Sequence, residues 1–225
     1  MTSTTASPPP PPPPPSAIIE PPPPPVNIFG KLISYDRYLS LCLHTFCQTC
    51  IPRFVLQALE ISGDGRYFFP IIISLLLAPL PHLRPILTPL LFGALLDLVV
   101  IGVVKFTVRR PRPVYNKGMH LVVAVDHWSF PSGHSSRVFL IAGFCCLVWD
   151  EIVSAVLMKL RNGDGDWGID EEKLRLGLWV VCAWAVLTSI SRVLLGRHFV
   201  FDVVVGAFVG IAEAMVAFRY LRFSI

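Results

Sequence analysis

Apolar segments long enough to cross a lipid bilayer constrain this chain more than any other feature. A helix that crosses the roughly 30 Å hydrocarbon core needs about 20 predominantly apolar residues. We identify six such segments, at residues 39–60, 67–82, 85–108, 135–158, 173–194 and 199–221. Backbone polar groups in a bilayer must be satisfied within the segment itself. The sequence therefore predicts an all-α, polytopic membrane protein, a bundle of six transmembrane helices.

Composition agrees with a membrane location and argues against a nucleic-acid partner. Charged residues make up only 15% of the chain and hydrophobic residues 53%, whereas a soluble domain has about a quarter charged residues. The net charge of +4 comes without a long Lys/Arg run, which argues against nucleic-acid binding. The first segment is the weakest, because it carries His44, Gln48 and Arg53, and we expect it to be partly interfacial.

The chain begins with a low-complexity stretch that differs from everything after it. Proline runs occupy residues 8–15 and 21–25, and such runs favour polyproline II and cannot pack a core. We predict a disordered proline-rich tail over residues 1–30 and a membrane domain over residues 31–225. A ligand for SH3-type or WW-type modules is the alternative interpretation of the tail.

Counting membrane crossings brings two polar connections to one face. Residues 109–134 join the third and fourth predicted spans, and residues 195–198 join the fifth and sixth. Two crossings separate these connections, so they emerge on the same side of the membrane. The basic and histidine-bearing blocks of the sequence lie at these two places, which predicts a single polar site there.

The last of these blocks contains a histidine that is suited to nucleophilic attack. His198 and Asp202 are four residues apart, which on a helix places them on one face about 5–6 Å apart at Cβ. A carboxylate in that position can accept a hydrogen bond from one imidazole nitrogen and leave the other free to attack. Ionisable groups at the edge of a membrane helix are costly and usually functional.

A helix start supplies the second block, Pro131-Ser132-Gly133-His134. Backbone N–H groups at a helix N-terminus bind anions, and Gly133 lets the backbone approach an oxyanion closely. His134 is then placed to protonate a departing oxygen, which a poor leaving group such as a lipid alkoxide requires.

Cations form the third block. Lys105 and Arg112, together with Arg192, provide three positive charges for one phosphate group. Phosphoryl transfer depends mainly on such electrostatic stabilisation of the equatorial oxygens. Arg109 and Arg110, in contrast, fit the ordinary excess of basic residues beside membrane helices.

These three blocks resemble the signature of a known enzyme family. Lys105-x6-Arg112-Pro113, Pro131–His134 and Ser191-Arg192-x5-His198-x3-Asp202 resemble the three-part signature of the type 2 phosphatidic acid phosphatase superfamily, over roughly residues 31–221. Residues 60–65, 129–134 and 191–198 are also similar to its short branch, which contains polyisoprenoid diphosphate phosphatase and the plant lipid phosphate phosphatases of the beta type.

The resemblance implies an activity and a role for each residue of the blocks. It implies a magnesium-independent lipid phosphate phosphatase with no cofactor, in which His198 attacks phosphorus, Asp202 supports it and His134 protonates the leaving oxygen. The remaining residues are implied to bind phosphate: Lys105, Arg112, Ser132, Gly133 and Arg192. Isoprenoid or presqualene diphosphates are the alternative substrates, and phosphatidate is not separated from them by the sequence.

Two other functions fit parts of the same pattern. Vanadate-dependent haloperoxidases carry a similar signature, but they are soluble, and the hydrophobicity of this chain argues against them. A non-catalytic membrane scaffold that recruits partners through the proline tail is the remaining alternative.

The distribution of cations gives an expectation for sidedness. With six spans both termini share a face, and we count nine Lys and Arg residues on that face against seven on the site face once Lys105, Arg112 and Arg192 are set aside. The positive-inside rule then predicts cytosolic termini and a luminal site, with the endoplasmic reticulum as the expected membrane.

Overall fold

Helices account for nearly all of the structure. A computed structural model describes residues 27–115, 127–161 and 171–222. Over these residues the chain forms eight α-helices and one short 3-10 turn, and no named strand occurs among them. The elements are α1 (Ile28–Cys50), α2 (Arg53–Ser62), α3 (Gly65–Leu77), the 3-10 turn (Pro81–Leu83), α4 (Arg84–Val108), α5 (Gly133–Leu147), α6 (Trp149–Arg161), α7 (Glu171–Leu194) and α8 (Val200–Tyr220).

The predicted all-α membrane architecture is confirmed, although the count of six spans is not. Within the part of the chain that the structure describes, three helical stretches are long and apolar enough to cross a membrane: Pro81–Val108, Glu172–Leu194 and Val200–Tyr220. Helices α3 and α5 are apolar but shorter. The first predicted span is interrupted at Ile51-Pro52 and the fourth at Val148. The predicted tail over residues 1–30 lies outside the described residues, except that α1 begins at Ile28.

Helices α2 and α3 follow each other along the bundle, from the end of α7 to the cluster around Val148. Leu56 in α2 packs against Leu195 at the end of α7, and Ser62 accepts a hydrogen bond of 2.8 Å from the Trp184 indole further along α7. Ile72 in α3 then joins the cluster around Val148. The break between the two helices falls at Gly63-Asp64, where the Asp64 carboxylate caps α3 by accepting from Arg66 N.

Helix α1 lies across the end of the α7–α8 pair and does not run alongside it. Its inward residues Asp36, Ser40, His44 and Cys47 cover roughly 16 Å of helix at 1.5 Å per residue. All four meet the segment 194–201, which joins α7 to α8. Contacts spread along α1 therefore converge on a single end of the bundle.

The position of α1 corrects the expectation for sidedness. Asp36 forms an ion pair with Arg110 at the site end of α4, so Lys31 and Arg37 lie on the site face and not on the opposite one. Moving these two cations changes the count from nine against seven to seven against nine. The cation count therefore no longer favours a luminal site, because the contacts of Asp36 place the N-terminal part of α1 at the site end of the bundle.

Close packing of α5 against α8 sets the relative position of the two site helices. An added methyl group on Gly206 would lie 2.5 Å from the Ser132 carbonyl oxygen, and one on Gly210 would lie 2.0 Å from that of Ser136. Small residues permit such close approach of helices in membranes. As a result the N-terminus of α5 meets the first turn of α8, where Ser132 N donates to the Asp202 carbonyl at 3.0 Å.

Candidate active site

His198 lies in the short turn between α7 and α8, almost fully buried. The amides of Arg197 and His198 both donate to the Arg192 carbonyl, at 2.9 and 3.2 Å, and Gly196 takes the positive φ of 72° that the turn requires. The side chain of His198 is 1% exposed. The backbone of the turn thus fixes the position of the ring before any side chain contributes.

One nitrogen of the His198 ring is fixed by a backbone carbonyl. Nδ1 lies 2.6 Å from the carbonyl oxygen of Ser129. A carbonyl oxygen can only accept, so Nδ1 carries the proton and donates. The lone pair of the neutral ring is then on Nε2, which lies 3.5 Å from Nη1 of Arg112.

The surroundings of His198 favour its neutral form. Burial, followed by the nearby charges of Arg112, Arg192 and Lys105, holds the pKa of the His198 imidazole well below its usual range, against a smaller opposing effect of the hydrogen bond to Ser129. A neutral imidazole is the form that has a free lone pair. The ring is therefore prepared for attack at neutral pH.

Asp202 does not make the direct contact with His198 that the spacing suggested. Its Oδ2 lies 3.8 Å from Nδ1 of His198, beyond hydrogen-bonding distance. The carboxylate instead accepts from Phe199 N at 3.0 Å and pairs with Arg110 at 2.6 Å. The expected orienting hydrogen bond is thus made by Ser129, while Asp202 holds the first turn of α8 in place.

Arg110 is a site residue that the sequence interpretation missed. Its guanidinium bridges Asp36 and Asp202, each at 2.6 Å, and lies 4.2 Å above the Phe199 ring. An ordinary basic flank of a membrane helix does not account for these contacts. The sequence offered Arg110-Pro111 as a second Arg-Pro pair, but only Arg112-Pro113 keeps the six-residue gap from Lys105. The contacts of Arg110 were not foreseeable from it, because its partners are 74 and 92 residues away.

The three predicted phosphate-binding cations are distributed around His198. Lys105, in the last turn of α4, is 5% exposed, and Arg192 is 1% exposed. Arg112 lies in the connection after α4 and donates to the carbonyl of Arg197, next to His198, at 2.8 Å. All three raise the positive potential at the imidazole, so the structure brings them to one site.

Glu60 is the second residue that the sequence interpretation did not assign. Its carboxylate forms a short ion pair with Arg192 and lies 3.3 Å from Nε of Arg197. It compensates two buried cations, Arg192 near the end of α7 and Arg197 in the turn that carries His198. The signal was present in part, since Glu60 begins one of the segments that resemble the family.

The start of α5 places Ser132, Gly133 and His134 beside the same cluster. Ser132 caps the helix, with its Oγ accepting from Ser135 N at 3.4 Å, and its own amide is already engaged by Asp202. The anion-binding amides that remain are those of the first helical turn. Nε2 of His134 is buried and has no hydrogen-bond partner among the described residues, so its polar edge remains available to a ligand.

A short pairing between the residues after α4 and those before α5 positions Ser129 next to His198. Pro111 and Trp128 form an isolated antiparallel bridge, and Ser129 N donates to the Arg110 carbonyl at 2.8 Å. The first residues after α4 are therefore tied to the last residues before α5, at the two ends of the same connection. This arrangement places Arg112 and the Ser129 carbonyl on two sides of the imidazole.

A cavity of about 550 Å³ opens beside the turn that carries His198. Its walls come from α1, α2 and the end of α7, and several of its lining residues are apolar. The lining residues are His44, Cys47, Cys50, Ile51, Pro52, Arg53, Leu56, Tyr115, Leu194 and Leu195. A mixed lining of this kind is typical of sites for amphipathic molecules.

Comparison with known proteins gives consistent results. The model of the PAP2 superfamily matches residues 86–225. A curated protein of Arabidopsis thaliana, described as a probable lipid phosphate phosphatase beta, is 42% identical over 205 residues, which cover 87% of this chain and 92% of that protein.

Two solved structures share the fold. The phosphatidylglycerolphosphate phosphatase from Bacillus subtilis, a transmembrane PAP2-type enzyme, has a TM-score of 0.63 and 22% identity, with 83% of this chain and 84% of that chain covered. Aquifex aeolicus LpxE has a TM-score of 0.55 and 22% identity, with 81% and 94% covered. At this level of identity the two structures support the architecture and not the substrate.

Proposed function

The chain belongs to the PAP2 superfamily, and from this premise we propose that it hydrolyses phosphatidate-like lipid phosphates through a phosphohistidine on His198, without magnesium. The name of the Arabidopsis relative supports a lipid phosphate as substrate. The observation that carries the proposal is the state of the His198 ring. Its Nδ1 donates to Ser129, and its Nε2 lone pair lies beside Arg112 among buried cations.

The proposed reaction has two steps with complementary proton transfers. Nε2 of His198 attacks phosphorus, the P–O bond to the lipid breaks, and His134 donates a proton to the departing alkoxide. Water then attacks the phosphohistidine, His134 takes a proton from it, and the N–P bond breaks to release phosphate. Throughout, Lys105, Arg112 and Arg192 stabilise the charge on the equatorial oxygens.

Direct hydrolysis assays test the proposal. Purified protein in mixed micelles would be given phosphatidate, farnesyl diphosphate and presqualene diphosphate in turn, each with and without EDTA. We expect phosphate release from phosphatidate in EDTA and its loss in His198→Ala. A clear preference for the diphosphates would replace phosphatidate by the alternative substrate class.

Trapping of the intermediate tests the chemical step separately. Acid-labile, base-stable label from radioactive phosphatidate should appear on the wild-type protein after rapid quenching and be absent from His198→Ala. A protein that hydrolyses phosphatidate without ever carrying label would contradict covalent catalysis. Requirement for a divalent cation in the same assay would contradict the metal-free mechanism.

The proline-rich tail and the cellular location enter as separate proposals. An SH3-type or WW-type partner is supported only by the proline runs. Deleting residues 1–26 should leave phosphatase activity unchanged while His198→Ala abolishes it, and that pair of results would reject a non-catalytic scaffold as the main function. The endoplasmic reticulum remains the proposed membrane, and the revised cation count favours a cytosolic site by nine to seven. An impermeant inhibitor added to sealed microsomes tests this orientation. It should inhibit a cytosolic site, whereas a luminal site would be protected.

A further inference from the structure

Helix α1 turns a polar stripe toward the site and leaves apolar side chains exposed. Asp36, Ser40 and His44 recur every four residues, which places them on one helix face. Ser40 is fully buried and His44 is 9% exposed. In contrast, Phe29 and Phe46 are 78% and 72% exposed. Burial of apolar surface therefore does not explain why the polar stripe faces inward, and its polar contacts must.

Two residues of the stripe bind the first amides of α8. Phe201 N donates to Oδ1 of Asp36 at 2.9 Å, and Val200 N donates to Oγ of Ser40 at 3.0 Å. Ser40 in turn donates to the Asp36 carbonyl at 2.7 Å. Amides in the first turn of a helix have no partner within it, and here a different helix supplies the acceptors.

The same Asp36 is linked to Asp202 through a cation. Arg110 holds Asp36 with one guanidinium nitrogen and Asp202 with another, each at 2.6 Å. The side chains of Asp36 and Arg110 are each 12% exposed, and that of Asp202 is fully buried. These three residues form a continuous ionic chain from α1 to the turn that contains His198.

The third residue of the stripe supports the other end of that turn. Nδ1 of His44 lies 2.6 Å from the Leu194 carbonyl, and its ring stacks on Tyr115 with centroids 4.7 Å apart. A methyl group added to Gly196 would lie 3.3 Å from the His44 ring and 2.9 Å from that of Tyr115. Helix α1 thus contacts the chain both before and after His198.

We propose that the α1 stripe positions the nucleophile: Asp36 and Ser40 hold the start of α8, and through Arg110 and Asp202 they fix where Nε2 of His198 lies relative to the phosphate. This proposal rests on the proposed function. Asp36 and Ser40 are positioning residues, since they touch the turn and not the reacting atoms. Helix α1 lies outside residues 86–225, which the family model matches, so the role is additional to the three-part signature.

Mutation of the stripe would change the rate and the phosphate affinity differently, depending on whether the stripe only stabilises the fold or positions the nucleophile. Misplacement of a reacting group by about 1 Å costs on the order of 100-fold in rate, while binding of the phosphate by cations is retained. Loss of a purely structural contact would weaken catalysis and phosphate binding together. Inorganic phosphate and orthovanadate separate the two cases, because vanadate mimics the transition state and gains affinity from the nucleophile.

The experiment uses the full-length protein in detergent with three variants and one control. Asp36→Asn removes the charge, Asp36→Glu restores it at a different reach, and Ser40→Ala removes the acceptor for Val200. Thr45→Val is the matched control, because its exposed hydroxyl bonds only to the Leu41 carbonyl of its own helix. Phosphatidate hydrolysis gives kcat and KM, and ligand-dependent shifts in melting temperature give affinities for phosphate and vanadate.

We expect Asp36→Asn to lower kcat about 100-fold, with KM and phosphate affinity within about twofold of wild type and vanadate affinity about tenfold lower. Asp36→Glu should recover part of kcat, Ser40→Ala should lower kcat about tenfold, and Thr45→Val should match the wild type. Equal loss of phosphate and vanadate affinity, or unchanged kcat in Asp36→Asn, would overturn the proposal.

Two further outcomes are informative. Should Asp36→Asn fail to fold, Ser40→Ala decides, and a Ser40→Ala protein indistinguishable from Thr45→Val would reject the positioning role. Should the wild type hydrolyse no lipid phosphate, the proposed function fails by itself. The vanadate and phosphate affinities then still test whether α1 positions His198.

Discussion

His198 derives its reactive form from a backbone carbonyl more than from the carboxylate four residues away. The carbonyl of Ser129 fixes the tautomer, and burial among cations keeps the ring neutral. Asp202 contributes indirectly, through Phe199 N and Arg110. The proposed catalytic unit at this scale is therefore a ring, a turn and their backbone partners.

The lowered pKa of His198 predicts an unusual acid limb of the pH profile. In the proposed mechanism the neutral His198 ring attacks phosphorus, so the part of the kcat/KM profile that reports protonation of this ring should decline only well below pH 6.5. Arg112→Gln removes one of the cations that disfavour the imidazolium, so the pKa should rise and the acid limb of the residual activity should move to higher pH.

Arg109→Gln is the control for this profile. Arg109 donates to the Phe106 carbonyl and lies over the Phe106 ring, and we expect its removal to leave the acid limb in place. An acid limb of Arg112→Gln at the wild-type pH, or below it, would show that the charge of Arg112 does not act on His198.

Glu60 predicts a stability effect that depends on burial. Glu60→Gln leaves Arg192, 1% exposed, without its anionic partner, and breaking a buried pair in this way costs about 3–5 kcal/mol. Glu151→Gln breaks the ion pair with Arg222, whose side chains are 43% and 31% exposed, and solvent screening limits that loss to about 0–1 kcal/mol. Thermal unfolding in detergent measures both, and equal losses would contradict burial as the cause.

The sequence predicted which residues lie together around His198 better than the contacts between them. Spacing identifies Lys105, Arg112, His134 and His198 because each belongs to a local pattern that has a chemical meaning. Asp36 carries no such pattern, since an aspartate in an amphipathic helix resembles any solvated residue. Its role depends on tertiary contacts across the chain, which single-sequence periodicity does not encode.

At the scale of elements, α5 and α8 form the frame on which the site depends. Gly206 and Gly210 face α5 at a spacing of four residues, where their lack of a side chain lets the two backbones touch. The N-termini of both helices then converge at Ser132 and Asp202. Packing along the whole helix pair therefore determines the geometry at one end.

Gly210→Ala should destabilise the protein strongly. Its new methyl group would lie 2.0 Å from the Ser136 carbonyl oxygen, so the helices must separate, and overpacking of this kind costs about 1–3 kcal/mol or more. Gly102→Ala in α4 is the control, because nothing lies within 4 Å of its methyl position, and helix propensity there favours alanine by about 1 kcal/mol. Melting temperatures that fall equally in both variants would contradict the packing argument.

Over the whole molecule, the position of α1 decides how the chain is threaded through the membrane. Hydropathy detected an apolar stretch at 39–60 but not the break at Pro52, which has no amide to continue a helix. Nor could it detect that the polar face of α1 docks on the site end. The interpretation of this one helix therefore determines the inferred parity of the whole chain.

From the contacts of α1 we expect five passes, made by α2 with α3, by α4, by α5 with α6, by α7 and by α8. In this topology α1 and the candidate active site share one face, and the C-terminal end of α8 lies on the opposite face. In a cysteine-free protein, Arg37→Cys and Val114→Cys should react with a membrane-impermeant maleimide from the same side of sealed vesicles. Val114 is 92% exposed in the connection after α4. Tyr220→Cys, at the end of α8 and 72% exposed, should react only from the other side.

The six native cysteines must first be replaced without loss of activity, and detergent-opened vesicles must label all three positions. A six-span chain would place residue 37 with residue 220 and away from residue 114, so the labelling pattern separates the two topologies directly. Labelling of Arg37→Cys together with Tyr220→Cys would reject the position of α1 across the site. It would also remove the contacts on which positioning of His198 by α1 depends, because Asp36 and Arg110 would then lie on opposite faces of the membrane.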